Sequence, residues 1–325
     1  MSEPVRWGFL STAHINRLLI PPARESPKVE LVAVASRDGA RADDYARTWD
    51  IPRAYGSYET LLADPGVEAV YNPLPNSMHV EWSVRALEAG KHVLCEKPLS
   101  RHTADVERAF DAADRAGLVL SEAFMYRHHP QTRRLRELID GGAIGTLQAV
   151  RAIFGFFLRD PDNIRLSRPL EGGALMDVGC YCVNSSRFVA GEPERVSGEQ
   201  LVGPSGVDVR FQGMLRFASG VVAQFLCGLV IPTRDELEAI GDQGSLFLDD
   251  PFHAREPVIE LRRDGEAPER IDVERANSYR LELDNVSDAI RGEGDLLLGR
   301  EDAVAQARVI EALYSSADSG AAVTL

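Results

Sequence analysis

The sequence predicts an α/β protein in two parts. The first is a parallel sheet with helices on both faces. The second is an α+β part with a largely antiparallel sheet. Three observations predict this. Short apolar, β-branched runs alternate with helical patterns through the first 125 residues. Those runs are apolar throughout rather than at every second residue, which marks strands covered on both faces. After Tyr126 the texture changes to longer alternating strands with hairpin turns. A length of 325 residues suits one large domain or two ordinary ones. The expected division is 1–125 and 126–325.

The strands of the first part are expected at Val5–Leu10, Glu30–Ser36, Ala69–Leu74, His92–Glu96 and Leu118–Phe124. Helical spacing of Val80, Val84 and Leu87 predicts a helix over Ser77–Ala89, stopped by Gly90. Val106, Ala109, Phe110 and Ala113 predict another over Ala104–Ala116, stopped by Gly117. In the second part, Pro130–Asp140 reads as a helix. Leu147–Phe157, Val207–Phe217, Val221–Leu229 and Leu246–Leu248 read as strands. Gly220 in "FASGVV" suits the hairpin turn between two of them. Tyr279–Arg291 and Arg300–Ser316 read as closing helices. The Arg-, Pro- and Gly-rich stretch from Arg159 to Gly173 is too irregular for an element and reads as a functional loop.

Composition excludes several classes. Fifty acidic against 36 basic residues give a formal charge of −14, which repels phosphate backbones, so no nucleic-acid partner is expected. The cysteines, Cys95, Cys180, Cys182 and Cys227, are too few for a disulfide framework and complete no zinc spacing, so no metal is expected. No apolar run reaches membrane length and the first residues carry no leader pattern. A cytoplasmic protein with no membrane partner is expected.

"RWGFLSTAHIN" reads as strand, turn and helix start. A dinucleotide site needs glycines here so that the backbone can approach a pyrophosphate. The expected positions hold Ser11, Ala13 and Asn16, so spacing alone leaves cofactor binding and plain packing both open. Small residues at 11 and 13, and the hydroxyls of Ser11 and Thr12, keep the cofactor reading. Its candidate contacts are Gly8, Ser11, Thr12, Ala13, His14 and Ile15. The second strand ends in Ser36 and Arg37, with Arg41 a turn later, where an NAD enzyme usually carries an acid. Hydroxyl and guanidinium suit a 2′-phosphate, and equally a solvated basic loop.

In open parallel sheets ligands sit outside the carboxyl ends of the strands. "HVLCEKPLS" places Glu96 and Lys97 at such an end, where a strand core would not tolerate them. Three other stretches combine with it: "YNPLPNSMH" (Tyr71–His79), "EAFMYRHHPQ" (Glu122–Gln131) and "GGALMDVGCYCVN" (Gly172–Asn184). Their order and spacing resemble the Gfo/Idh/MocA family of nicotinamide-dependent oxidoreductases over nearly the whole chain. The nearest branch resembles D-xylose dehydrogenase, dimeric dihydrodiol dehydrogenase and the sugar ketoreductases.

The resemblance implies an N-terminal Rossmann domain and a C-terminal α+β domain built on an open-faced sheet that often joins subunits, here as a homodimer or homotetramer. It also implies hydride transfer between NAD(P) and a hydroxyl or carbonyl carbon of a sugar or cyclic polyol. NADP(H) is the expected preference, with NAD(H) a possibility. The first turn departs from the family, with Ser11 and Ala13 at common glycine positions. Tyr181 stands where many members carry a catalytic histidine.

Oxidising an alcohol also removes its hydroxyl proton, so an acid/base group must reach that oxygen. Lys97 is the first candidate, with an amine that stabilises a developing alkoxide and Pro98 setting its backbone direction. Tyr181 and Asp177, four residues apart, are expected on one face of a helix, after Gly172 and Gly173. The family pattern points both at Lys97. Lys97 and Tyr181 are therefore expected to share the proton relay, with Asp177 on substrate hydroxyls and orienting Lys97. Glu96, Pro73, Leu74, Asn76 and His79 complete the expected cofactor contacts, with His79 a helix cap on the alternative reading. Tyr126, followed by Arg127 and His128, borders the expected substrate pocket. Asn163 and Arg165 resemble positions that reach substrate or cofactor. Three rivals share the fold: a sugar–sugar oxidoreductase that keeps its cofactor, a trans-dihydrodiol dehydrogenase, and a non-catalytic dinucleotide sensor. The sensor predicts loss of Lys97, Asp177 and Tyr181, and all three are present.

Overall fold

The computed structural model describes residues 2–325, which divide into two compact units. The first runs to Met125 and includes Asn277–Val304; the second is Tyr126–Ala276 with Ala305–Leu325.

In the first unit β1 (Val5–Phe9), β2 (Val29–Ala35), β3 (Arg53–Tyr55), β4 (Ala69–Asn72), β5 (His92–Glu96) and β6 (Leu120–Ala123) form a sheet in the order β3-β2-β1-β4-β5-β6. Every pairing in it is parallel. The order reverses between β1 and β4, which is the switch point of a doubly wound sheet. The connections are α1 (Asn16–Glu25), α2 (Gly39–Thr48), α3 (Tyr58–Leu62), α4 (His79–Glu88) and α5 (Thr103–Ala116). Asp38 caps α2 and Ser57 caps α3, each accepting a backbone N–H of the first turn. Gly117 ends α5 in the left-handed region, as its position predicts.

The second unit holds α6 (Pro130–Asp140), β7 (Leu147–Phe157), a π-helical turn at Leu175–Gly179 and α7 (Cys180–Ala190). β8 (Pro193–Val202), β9 (Asp208–Phe217), β10 (Val222–Gly228), β11 (Val230–Gly241), β12 (Ser245–Asp249), β13 (Val258–Arg262) and β14 (Glu269–Asp272) follow. The chain then returns to the first unit with α8 (Ser278–Arg291). It ends in α9 (Arg300–Ser319) and β15 (Val323–Thr324). The sheet order is β14-β13-β12-β11-β7-β10-β9-β8-β15. β7 and β10 pair in parallel and the other neighbours antiparallel. Alternation sorts its faces: Val150, Ala152, Phe154, Phe211, Leu215, Phe225 and Leu237 are buried, while Arg151, Gln212, Met214 and Gln224 between them are exposed.

One boundary differs from the expected division. Tyr279–Arg291 was assigned to the second part, yet α8 packs in the first unit. Leu283 and Val286 join Trp7, Phe9, Tyr71 and Leu94 in one core, and Trp7 Nε1 donates to Ser287 Oγ at 3.3 Å. Sequence order hides such a return of the chain. The four cysteines are buried. Among the described residues, no helix is long and apolar enough to cross a membrane.

Candidate active site

The first unit gathers its candidate residues at the carboxyl ends of β1, β2, β4 and β5. The Ser11 hydroxyl accepts the Ala13 N–H at 3.1 Å, and Asn16 Nδ2 donates to the Ser11 carbonyl at 2.7 Å. Ser11, Thr12, Ala13 and Ile15 are half-buried and His14 is exposed. No side chain caps α1 and its first turn carries no acid, which leaves the positive end of the helix facing this turn. Gly8 precedes this turn. It lies buried inside β1, where a Cβ would stand 2.9 Å from Leu61 and 3.1 Å from Val67. Its lack of a side chain serves packing beneath the turn.

At the end of β2, the buried Ser36 hydroxyl accepts the Asp38 N–H at 3.2 Å. The Asp38 carboxylate in turn accepts the Arg41 N–H at 3.2 Å. Arg37 is exposed, and its guanidinium acts on the Tyr58 hydroxyl. Burial pushes that phenol up, while Arg37 and Arg41 pull it down.

The loop after β4 is fixed from inside. Buried Asn72 donates to the His79 carbonyl at 3.0 Å and to Ser83 Oγ at 3.1 Å, and its Oδ1 accepts the Leu74 N–H at 3.3 Å. Pro73 and Leu74 are buried and Asn76 is half-buried. His79 was expected at the cofactor or as a cap. It is instead 1% exposed, the first residue of α4, with Nδ1 2.8 Å from the Pro98 carbonyl and Nε2 2.7 Å from the Leu74 carbonyl. Burial holds its imidazole down to about 4. It therefore joins the β4 loop to the segment that follows Lys97.

At the end of β5, Glu96 accepts the buried Tyr71 hydroxyl, and its Oε2 accepts the Lys97 N–H at 3.3 Å. The Lys97–Pro98 peptide bond is cis. Burial first, then Glu96, pushes the Tyr71 hydroxyl well up. Glu282 on α8 is 1% exposed, and burial and the Glu96 charge push its carboxyl well above the usual range. Lys97 thus follows a polar layer of buried Tyr71 and Glu282 and half-buried Glu96. Neither Asn72 nor Glu282 stood out in the sequence. An asparagine closing an apolar strand was a readable signal; a glutamate on the apolar face of α8 was another.

The second unit builds its candidate site around α7. Gly172 and Gly173 are required locally: a Cβ on Gly172 would meet the Arg165 carbonyl at 2.3 Å, and one on Gly173 would meet Asp208 Oδ1 at 2.2 Å. Asp208 Oδ2 accepts the Leu175 N–H at 2.7 Å and Oδ1 accepts the Tyr314 hydroxyl at 2.9 Å, which anchors the π-helical turn. Asp177 lies in that turn and Tyr181 in the first turn of α7, so the single α-helix expected to carry both is replaced by two helical geometries. Arg165 Nε donates to Asp177 Oδ2 at 2.7 Å, and Asn163 accepts the Arg165 N–H at 3.1 Å. These three expected residues form one cluster.

Tyr181 is 7% exposed. Its ring lies 5.9 Å from Tyr126, 5.4 Å from Phe154 and 5.2 Å from Phe252, centroid to centroid. Such pairs contribute about 0.5–1.5 kcal/mol each beyond the area they bury, so these walls help to hold the ring. The Tyr126 hydroxyl donates to Asn184 Oδ1 at 2.6 Å, and Arg127 reaches the same oxygen at 3.2 Å. His128 is buried and held down to about 3, by burial and then by Arg127. Phe154, Phe252 and Asn184 escaped the sequence reading, since residues so far apart share no local signal.

Comparison with known proteins agrees with this architecture. Residues 5–124 match the oxidoreductase family with an NAD-binding Rossmann fold, and residues 132–247 match the GFO/IDH/MocA C-terminal domain. The D-xylose 1-dehydrogenase (NADP(+)) 2 of Haloferax volcanii is 39% identical over 98% of this chain and 99% of its own. A 3-ketoreductase from Actinomadura kijaniata, solved with NADP and TDP-benzene, superposes with a TM-score of 0.92 at 31% identity, covering 96% of this chain and 98% of its own. The aldose-aldose oxidoreductase of Caulobacter crescentus, solved with glycerol, also gives 0.92, at 29% identity over 99% and 100% of the two chains. The fold and these matches define an oxidoreductase with a Rossmann dinucleotide domain. The chain belongs to the GFO/IDH/MocA family.

Proposed function

We propose that this protein is an NADP(H)-preferring dehydrogenase or reductase of sugars or cyclic polyols. The first unit would hold the dinucleotide, and the second would bind substrate and join subunits. The observation that carries the reading is Lys97, set at the carboxyl end of β5 directly after the anchored Glu96. The xylose dehydrogenase and the NADP-bound ketoreductase supply the substrate class and the cofactor.

The donor set suits a dinucleotide with a 2′-phosphate. At the end of β2 it offers the Ser36 hydroxyl and the Arg37 and Arg41 guanidiniums, while the Asp38 carboxylate is engaged at the start of α2. The turn from Ser11 to Ile15 would take the pyrophosphate against the uncapped end of α1. Pro73, Leu74, Asn76 and Glu96 would border the nicotinamide side, and His79 would act on it only by fixing the loop. When bound, the nicotinamide supplies the hydride acceptor or donor.

The chain's own residues handle the proton. Lys97 and Tyr181 form the relay, Lys97 lowering the cost of an alkoxide by its charge. Asp177, oriented by Arg165, binds substrate hydroxyls, with Asn163 and Tyr126 at the border of the same site. Subunits would join through the outer face of the second sheet, where Met214 is exposed.

The similarity to an aldose–aldose oxidoreductase supports a second reading, in which the cofactor stays bound between two sugars. One experiment separates the two. Initial rates are followed by nicotinamide absorbance with NADP+ and with NAD+, over xylose, glucose, other aldoses, inositols and a trans-dihydrodiol. The primary reading expects steady turnover of one sugar class, faster with NADP+. Absence of free-cofactor turnover, together with dinucleotide released on denaturation, supports the second reading. Absence of both counts against oxidoreductase function with these substrates.

A further inference from the structure

Along β11 the residues that alternate onto the core face are Asp235, Leu237 and Ala239, paired across the sheet with Phe154, Ala152 and Val150 of β7. A carboxylate at such a position requires compensation. The Asp235 side chain is 10% exposed, and its Oδ2 lies 2.7 Å from His253 Nδ1. Its Oδ1 is buried with no hydrogen-bond partner among the described residues. Asp250, in the turn after β12, places Oδ1 3.4 Å from the same Nδ1. One donor atom from each of the three residues lies within 4.8 Å of the other two.

Protein groups alone compensate this arrangement poorly. One imidazole N–H faces two carboxylates and leaves Oδ1 of Asp235 unanswered. Arg255 Nη1 reaches Asp250 Oδ1 at 3.4 Å, but its side chain is 67% exposed and its charge is spread into solvent. The spacing suits a cation. Metal bonds of about 2.1 Å put adjacent donors roughly 3.0–3.4 Å apart in octahedral or tetrahedral geometry, close to the 2.7 and 3.4 Å edges seen here. Two carboxylates and one imidazole are the ligands of a divalent transition ion rather than of magnesium or calcium, which take oxygen throughout.

We propose that Asp235, Asp250 and His253 bind one divalent transition cation, Zn2+ foremost, which fastens the turn after β12 to β11. Phe252 lies between two of the ligands in sequence, is fully buried, and packs on Tyr181, Phe154 and Tyr126. The His253 ring meets Phe154 edge-on at 5.7 Å. The ion is thus structural, and it sets the wall against which Tyr181 rests.

The test uses full-length protein stripped with a chelator, and ZnCl2 or CoCl2 alone as the probe. The expected result is one Zn2+ per chain by calorimetry and a melting temperature raised by roughly 5 °C or more at saturating metal. Co2+ should add the visible d–d bands of a nitrogen- and oxygen-ligated site. Asp235→Asn and His253→Gln should each weaken binding at least tenfold and abolish those bands. Asp250→Asn, nearer solvent, serves should either fail to fold. Wild-type protein with no stoichiometric uptake, no Co2+ bands and an unmoved melting temperature would overturn the proposal, as would binding that all the substitutions leave intact. None of these readouts depends on catalytic activity.

Discussion

The end of β5 and the start of α7 hold their key side chains by different physics. Lys97 follows a buried polar layer in which the Tyr71 hydroxyl bonds Glu96, Glu282 lies deep in the core, and His79 spans two carbonyls. Tyr181 stands in an apolar cage of Tyr126, Phe154 and Phe252. A polar layer fixes charge and direction, and it is sensitive to any change that leaves a buried group unsatisfied. An aromatic cage fixes a ring by shape. It is weakened by the loss of a wall.

That contrast predicts the following, from the largest effect down. Lys97→Ala should lower turnover by about 10³–10⁴-fold while leaving dinucleotide affinity nearly intact, measured by steady-state rates and fluorescence titration. Near wild-type turnover would remove Lys97 from the relay. Phe252→Ala should cost about 3–5 kcal/mol of stability through the cavity it leaves, read by denaturant unfolding. Tyr181→Phe keeps the ring, so its melting temperature should not move while turnover drops by about 10²–10³-fold. A large loss of stability in that variant would show that the cage depends on the hydroxyl. Arg37→Ala should weaken NADP binding about ten- to hundredfold and NAD binding far less. Equal losses would mean that Arg37 does not read the 2′-phosphate.

The smallest effect is a pH dependence. The Glu282 carboxyl is held above its ordinary range, so the native state keeps a proton that the unfolded chain releases above about pH 4.5. Its favourable contribution is therefore complete below that pH and is lost as pH rises toward the native value. Glu282→Gln has no proton to lose. Its melting temperature should gain on wild type as pH increases from 5 to 8, and a constant difference would mean that Glu282 is ionised in the fold.

The legible parts of the molecule were those with local signals. Continuous apolar strands announced the parallel sheet, and Gly117 announced the end of α5. Glu96 and Lys97 were visible because charges do not belong inside such a strand. Gly172 and Gly173 were legible as a close approach, and the structure supplies the atoms they approach. What stayed hidden came from long-range packing. The return of α8 to the first unit, the Phe154–Phe252 wall and the burial of His79 join residues far apart in sequence. Gly8 was legible as a glycine beside the turn, but its packing against Leu61 and Val67 was not.

The central claim is hydride transfer between a sugar carbon and the nicotinamide. Its most direct test is label transfer: the protein is incubated with NADP+ and a sugar deuterated at its oxidisable carbon, and the dinucleotide is examined by mass spectrometry after denaturation. One deuterium is expected in the reduced dinucleotide, and none with Lys97→Ala over the same time. A deuterated substrate that binds but leaves the dinucleotide unlabelled would contradict it.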